Sequence, residues 1–343
     1  MAVERNTFLP LCLGIVLCAG LQNVWATSTE VVPEASAKKI LAVVAPNGLE
    51  KVPVVSGIAL DPTGKRLAAV GDDHLVRILD TQTGAIVQRL KSHSDWVKVS
   101  AFRPDGQVLA TAGADGRIRL WDVTTSNRPR ELPERLSVIY TLTYSPDGRL
   151  LAAAGFGEKV WVFDGQQGAL MHELTAPGND IRAVAFTPDG KRIAAAGRSG
   201  IVRIWDSGSG HPLADIRASS RRICALAYSP DGKLLAVAGQ QRSVRLFDGV
   251  SGSPVVDLAP RPGTVMALCF CGTGMLASAG SDNTIHLWNL TTGQEVQRLI
   301  GHTGSITTLT LDSRSQTLIS GGYDTTVRSW NVTVPVGARV TRR

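Results

Sequence analysis

Residues 93–133 hold a pattern that recurs along most of the chain. From Val97 to Phe102 apolar residues alternate with small or polar ones, as in a half-buried strand. Arg103-Pro104-Asp105-Gly106 follows. Proline presets the first corner and glycine accepts a left-handed one, so these residues predict a hairpin turn. Residues 108–112 read as the next strand, and Gly113-Ala114-Asp115-Gly116 as a second tight turn. Residues 117–122 read as a third strand ending in Trp121-Asp122, and a fourth, outer strand is expected after a polar loop. The first turn recurs at residues 145–148, 187–190 and 229–232, with Asp61-Pro62-Thr63-Gly64 a close variant. Cys271-Gly272-Thr273-Gly274 and Asp312-Ser313-Arg314-Ser315 replace it in the last two copies.

The terminal pairs give the period. They are Leu79-Asp80, Trp121-Asp122, Phe163-Asp164, Trp205-Asp206, Phe247-Asp248, Trp288-Asn289 and Trp330-Asn331, spaced 42 residues apart with one step of 41. A period in the low forties ending in Trp-Asp predicts four-stranded propeller blades. The chain therefore reads as all-β, a seven-bladed β-propeller of four-stranded antiparallel blades over residues 38–333 of 343.

With these motifs the chain resembles the WD-repeat (WD40) family. The resemblance implies a hydrogen-bonded chain of His, Ser or Thr, Asp and Trp within a blade. His93, Thr111, Asp115 and Trp121 match in full, as do His302, Ser320, Asp324 and Trp330. Ser278, Asp282 and Trp288 match without a histidine. Elsewhere the turn position holds Asp73, Gly157, Ser199 or Gln241, so those blades are expected to rely more on apolar packing. The resemblance also implies closure of the last blade by a strand from the N-terminal side. Ile40-Leu41-Ala42-Val43-Val44 suits that role.

The first 26 residues differ from the rest. Arg5 precedes an apolar run over residues 8–21, and Val24-Trp25-Ala26 ends with small residues where a signal peptidase cuts. This order predicts a secretory signal peptide over residues 1–26. The run is too short for a membrane span, so none is expected after cleavage. The alternative is a cytosolic protein with an uncleaved amphiphilic N-terminus. Residues 27–37 read as a flexible leader and residues 334–343 as a C-terminal tail. Cys224, Cys269 and Cys271 would remain, an odd number that forms no disulfide framework and reads as buried free thiols.

The formal net charge is +7, with Arg at 27 well above Lys at 9. Arg77, Arg119, Arg203, Arg245 and Arg328 share one repeat position and are spread round the ring. That distribution reads as a solvated strand face and argues against nucleic acid, which wants a clustered basic stripe. The sequence carries no nucleotide loop and no nucleophile elbow. His74 and His286 read as surface residues, His172 and His211 are dispersed, and no catalytic, cofactor or metal site is expected. Asn289-Leu290-Thr291 and Asn331-Val332-Thr333 are sequons, relevant only to a eukaryotic secretory route.

By resemblance, partners meet residues flanking the first apolar position of the inner strand and the residue before the second-turn Asp. On this chain those are Asp72, Trp96, Lys98, Tyr140, Phe156, Asp180, Arg182, Arg198, Arg222 and Tyr323. Trp, Tyr and Arg dominate, the side chains enriched at binding hot spots. Trp96 is expected to be substantially exposed at one mouth of the channel, near Tyr140 and Tyr323. The reading is a non-enzymatic exported propeller that binds a protein or peptide through its top face, without a cofactor. The alternative is an extracytoplasmic lactonase- or lyase-like propeller, which needs carboxylates and histidines around the channel; only Asp72 and Asp180 offer themselves. Export would make Thr27 the first residue of the mature protein, as mass spectrometry would show. An intact Met1 or Ala2 terminus on a cytosolic protein would contradict it.

Overall fold

Each alternating run becomes a strand, and each Pro-Asp-Gly or Asp-Gly cluster becomes the turn that reverses it. The computed structural model describes residues 32–42, 52–125 and 128–332. The expected signal peptide, Val43-Val44 and the tail lie outside the described residues. No helix appears among the described residues.

Seven sheets form the blades among the described residues, and apart from two N-terminal strands each strand is bonded to its sequence neighbour. The inner strands run Val55–Leu60, Val97–Phe102, Ile139–Tyr144, Ile181–Phe186, Ile223–Tyr228, Val265–Phe270 and Ile306–Asp312. Each touches the next, and that of blade seven touches that of blade one, closing a ring about the axis. Hydroxyls help to tie it: Ser56 Oγ donates to the Val97 carbonyl (2.6 Å) and Thr307 Oγ1 to the Val55 carbonyl (2.9 Å). Second strands such as Leu150–Gly155 are rich in alanine and buried nearly throughout. Small side chains there let neighbouring blades pack closely. The third strands carry the terminal pairs. Trp121, Trp205, Trp288 and Trp330 are buried between blades. The following Asp turns outward and holds the next hairpin: Asp122 Oδ1 accepts from the backbone N–H groups of Thr124 (2.9 Å) and Thr125 (3.1 Å).

Closure uses the N-terminal side of the propeller. Lys39–Ala42 pairs antiparallel with Thr326–Asn331, and Leu41 lies opposite Val327. Leu41 is buried among Leu67 and Leu79 of blade one and Ile319 and Val327 of blade seven. The strand thus removes an open edge and seals the last interblade seam.

Two expectations need correction. The segment read as a leader contains a strand: Glu34–Ala35 adds in parallel to Gln294–Ile300, giving blade six a fifth strand. Ala35 and Ala37 pack against the apolar cluster between blades six and seven. Such a short strand leaves no alternation to read. The repeat-position arginines are not a solvated face either. Arg77 is 1% exposed and pairs with Asp73, and Arg119 is buried against Asp115. Arg203 and Arg245, in blades lacking the turn Asp, pair instead with outer-strand Asp215 (2.6 Å) and Asp257 (2.8 Å).

Replacing Leu41 by Ala is expected to cost about 2–5 kcal/mol, the range for a buried leucine. Ile40→Ala, at a side chain 54% exposed, should stay within about 0.5 kcal/mol of the parent. Urea unfolding of the two variants checks this. Equal effects would mean that the N-terminal strand does not seal the seam.

Candidate binding site at the axial mouth

Hydrogen-bonded networks stiffen the blades around the axis. Trp121 Nε1 donates to Thr111 Oγ1 (2.8 Å), which lies 2.8 Å from His93 Nε2, and His93 Nδ1 lies 2.9 Å from Asp115. With His93 neutral, each donor meets one acceptor: indole to hydroxyl, hydroxyl to Nε2, Nδ1–H to carboxylate. Burial favours that neutral form by lowering the His93 pKa. Trp330, Ser320, His302 and Asp324 repeat the arrangement. Blade six lacks this histidine and solves the problem differently. Trp288 Nε1 donates to Ser278 Oγ (2.8 Å), while Arg261 and His286 both reach Asp282 (3.2 and 2.9 Å). His286 is therefore not the surface residue expected: it is buried, bridging Asp282 and Glu295. Glu295, despite burial, is held down to about 2 by His286 and Arg298.

The mouth itself is built by backbone geometry. In every blade the pairing of the first two strands slips by one residue just after the inner strand begins; in blade two Val97 faces Gly113 and Val99 faces Ala112. The extra residue of this bulge is Ser56, Lys98, Tyr140, Arg182, Cys224, Met266 or Thr307, and all seven line one axial cavity of about 460 Å³. A bulge re-aims a side chain, and here it does so once per blade. Glycine at the end of the second strand permits it. A Cβ on Gly113 would lie 2.0 Å from the Trp96 carbonyl oxygen, and one on Gly197 2.2 Å from that of Asp180.

Trp96, Arg222 and Tyr323 also line this cavity, with Gln240, Thr264 and Ser281. The Lys98 ammonium lies 3.7 Å from the Trp96 ring centroid and 5.6 Å from that of Tyr140. The Arg182 guanidinium lies 3.6 Å from the Tyr140 centroid. Beneath them Asp180 binds Arg182 Nε through one oxygen (2.6 Å) and Arg222 Nη2 through the other (2.9 Å). Burial, and then Arg182, lower the Lys98 pKa; burial raises those of Cys224 and Tyr323.

Six of the ten residues expected at the partner face thus meet in one place: Trp96, Lys98, Tyr140, Arg182, Arg222 and Tyr323. The others do not. Asp180 is 4% exposed and holds two arginines from below. Asp72 accepts from the Val54 backbone N–H (2.9 Å) and does not line the cavity. Arg198 is exposed outside it, and Phe156, 59% exposed, lines a separate cleft with Trp161. Trp96 is half-buried rather than largely exposed, because Lys98 covers its face, and its indole N–H has no hydrogen-bond partner among the described residues. The sequence reading passed over Ser56, Cys224, Met266 and Thr307. The same 42-residue register that gives Lys98 and Tyr140 would have found them, had small and neutral side chains been followed as well. Cys224, read as a buried thiol, is half-buried at this mouth.

The described residues form a closed seven-bladed ring with a side-chain-lined axial mouth. The WD domain, G-beta repeat family profile matches residues 84–122, 168–206, 210–248, 252–289 and 293–331, and the chain belongs to that WD-repeat family. Each match starts at the outer strand of one blade and ends at the third strand of the next, so every repeat ties two blades covalently. Short stretches resemble curated proteins. One is 40% identical over 60 residues to Mitochondrial division protein 1 of Mycosarcoma maydis, covering 18% of this chain and 7% of that protein. Another is 37% identical over 62 residues to the Periodic tryptophan protein 2 homolog of Neurospora crassa, with the same shares. A third is 39% identical over 56 residues to the U3 snoRNP-associated protein-like EMB2271 of Arabidopsis thaliana, covering 16% of this chain and 12% of that protein. The matches to these relatives thus span only 7–12% of their length.

The histidines make opposite contributions to stability as pH changes. Burial lowers the folded-state pKa of His93 and His302 below the ordinary value of about 6.5. Their stabilisation is present above about pH 6.5 and is lost as pH falls through the folded-state value, because the unfolded chain binds the proton first. For His286, burial alone would lower the pKa, but the bonds to Asp282 and Glu295 outweigh it and raise the value. Its contribution is complete below about pH 6.5 and is lost as pH rises through the folded-state value. Urea unfolding as a function of pH should show His93→Gln with a flatter acid limb and His286→Gln with a flatter limb above neutrality. Curves parallel to the parent for both variants would contradict these assignments.

Proposed function

We propose that this chain is a non-enzymatic, exported scaffold that holds a protein or peptide partner in its axial mouth. The observation that carries the reading is the convergence of Trp96, Lys98, Tyr140, Arg182, Arg222 and Tyr323 on one cavity. Aromatic and arginine side chains supply most of the energy at protein interfaces, and more so when preorganised. Here Asp180 fixes two arginines, and the aromatic faces fix Lys98 and Arg182. Membership of the WD-repeat family supports binding rather than catalysis. A hydrolytic propeller would want an available carboxylate at the mouth, and Asp180 is committed to two guanidinium groups. Export rests on the pattern of residues 1–26.

Affinity capture from the native extracytoplasmic fraction tests the site. Trp96→Ala removes a half-buried side chain, so its melting temperature should fall by no more than about 2–4 °C, the shift for about 1 kcal/mol. Capture should nevertheless be lost, whereas Phe156→Ala should retain it. The opposite result would place the partner on the cleft beside Trp161 and overturn the axial reading.

A further inference from the structure

Charge is unevenly distributed within the axial mouth. Lys98, Arg182 and Arg222 line it from blades two, four and five, and no Asp or Glu is among its lining residues. The bulge positions of blades six, seven and one hold Met266, Thr307 and Ser56, all neutral. Asp180 lies beneath and divides one negative charge between Arg182 and Arg222. Lys98 makes no ion pair among the described residues; its ammonium rests on the faces of Trp96 and Tyr140. A π face attracts the cation but does not neutralise it. The mouth is thus a half-open site whose three lining cations exceed the Asp180 charge by two, and Lys98, favoured electrostatically by Asp95 but ion-paired to no group among the described residues, is the least compensated of them.

We propose that the mouth receives a glutamate or aspartate side chain of an acidic peptide, its carboxylate seated beside Lys98 and flanked by Arg182 and Arg222. This rests on the reading of the mouth as the partner site and adds the chemistry of what enters it. A carboxylate supplies the one negative charge that Lys98 lacks. Its opposite charge also offsets the burial and the repulsion from Arg182 that lower the Lys98 pKa. Asp180 already holds both guanidinium groups, so a dianionic phosphate would have to compete with it for them, whereas a carboxylate needs only Lys98 as its direct partner. A cavity of about 460 Å³ suits a side chain rather than a polynucleotide backbone. Arg77, Arg119, Arg203 and Arg245 are each paired with an aspartate around the ring, which leaves no basic stripe for phosphates to follow.

The test uses the full-length protein and fluorescein-labelled pools of short capped peptides. Each pool is randomised except for a central Glu, Gln, phosphoserine or Lys, and a short single-stranded RNA completes the set. Fluorescence anisotropy should show the Glu pool binding at least about tenfold tighter than the Gln pool, as expected for a close charge pair at an interface. Lys98→Gln should remove that difference while lowering the melting temperature by no more than about 2–4 °C, and Lys98→Glu should shift the preference to the Lys pool. Equal binding of the Glu and Gln pools, or tighter binding of the Lys pool, phosphoserine pool or RNA by the parent protein, would overturn the proposal. If such binding is lost in Trp96→Ala, the mouth remains the partner site and only the carboxylate assignment fails. If no pool binds in a Trp96-dependent way, both fail.

Discussion

At the end of the second strand in blade two, Gly113 sits where the backbone of the inner strand comes closest. The Trp96 carbonyl accepts from the Ala114 N–H at 2.9 Å, and the space between leaves no room for a Cβ on Gly113. That contact fixes where the inner strand begins and is followed at once by the bulge that turns Lys98 toward the axis. Gly197, the Asp180 carbonyl and Arg182 repeat the arrangement in blade four. A side chain at either glycine would have to push the inner strand away, and the mouth would lose its register. The ring is therefore more than a means of hiding strand edges. It places one re-aimed side chain per blade at a common height on the axis.

On that frame the site is organised by a single buried carboxylate. Asp180 adopts a left-handed backbone conformation (φ 59°), which Asp tolerates better than most residues, and its two oxygens serve two arginines. Removing a shared anion leaves like charges to repel in a partly dry cavity, a larger effect than loss of one surface ion pair. The aromatic faces do complementary work. They hold Lys98 and Arg182 in place without cancelling their charge, so the mouth is both ordered and electrostatically unsatisfied. Order without neutralisation is what a binding site needs, since less is lost in fixing side chains when the partner arrives.

How much of this was legible depended on the range of the interaction. The propeller followed from the 42-residue period, because every copy repeats the same turn chemistry. Lys98, Tyr140 and Arg182 were legible because the repeat register extends to single side chains. Met266 and Thr307 occupy the same register but carry no marked chemistry, so attention to residue type hid them. Asp180 read as a partner-facing residue; only folding brings Arg222, from the next blade, to its second oxygen and turns it into a support for the arginines. His286 stands where five other blades have arginine, and its partner Glu295 lies on the following strand, so its burial depended on a pairing across strands. Glu34–Ala35 was too short to show a period, and its partner is more than 260 residues away.

Tryptophan itself offers the sharpest reporter, because Trp96 lines the axial mouth, Trp161 lines the competing cleft beside Phe156, and Trp121, Trp205, Trp288 and Trp330 are buried between blades. The protein can be labelled with 5-fluorotryptophan, its fluorine resonances assigned by single Trp→Phe variants, and the capped glutamate peptide pool added. If the axial mouth receives the partner, the Trp96 resonance shifts or broadens and that of Trp161 stays in place. Movement of the Trp161 resonance with Trp96 unchanged would contradict the axial site.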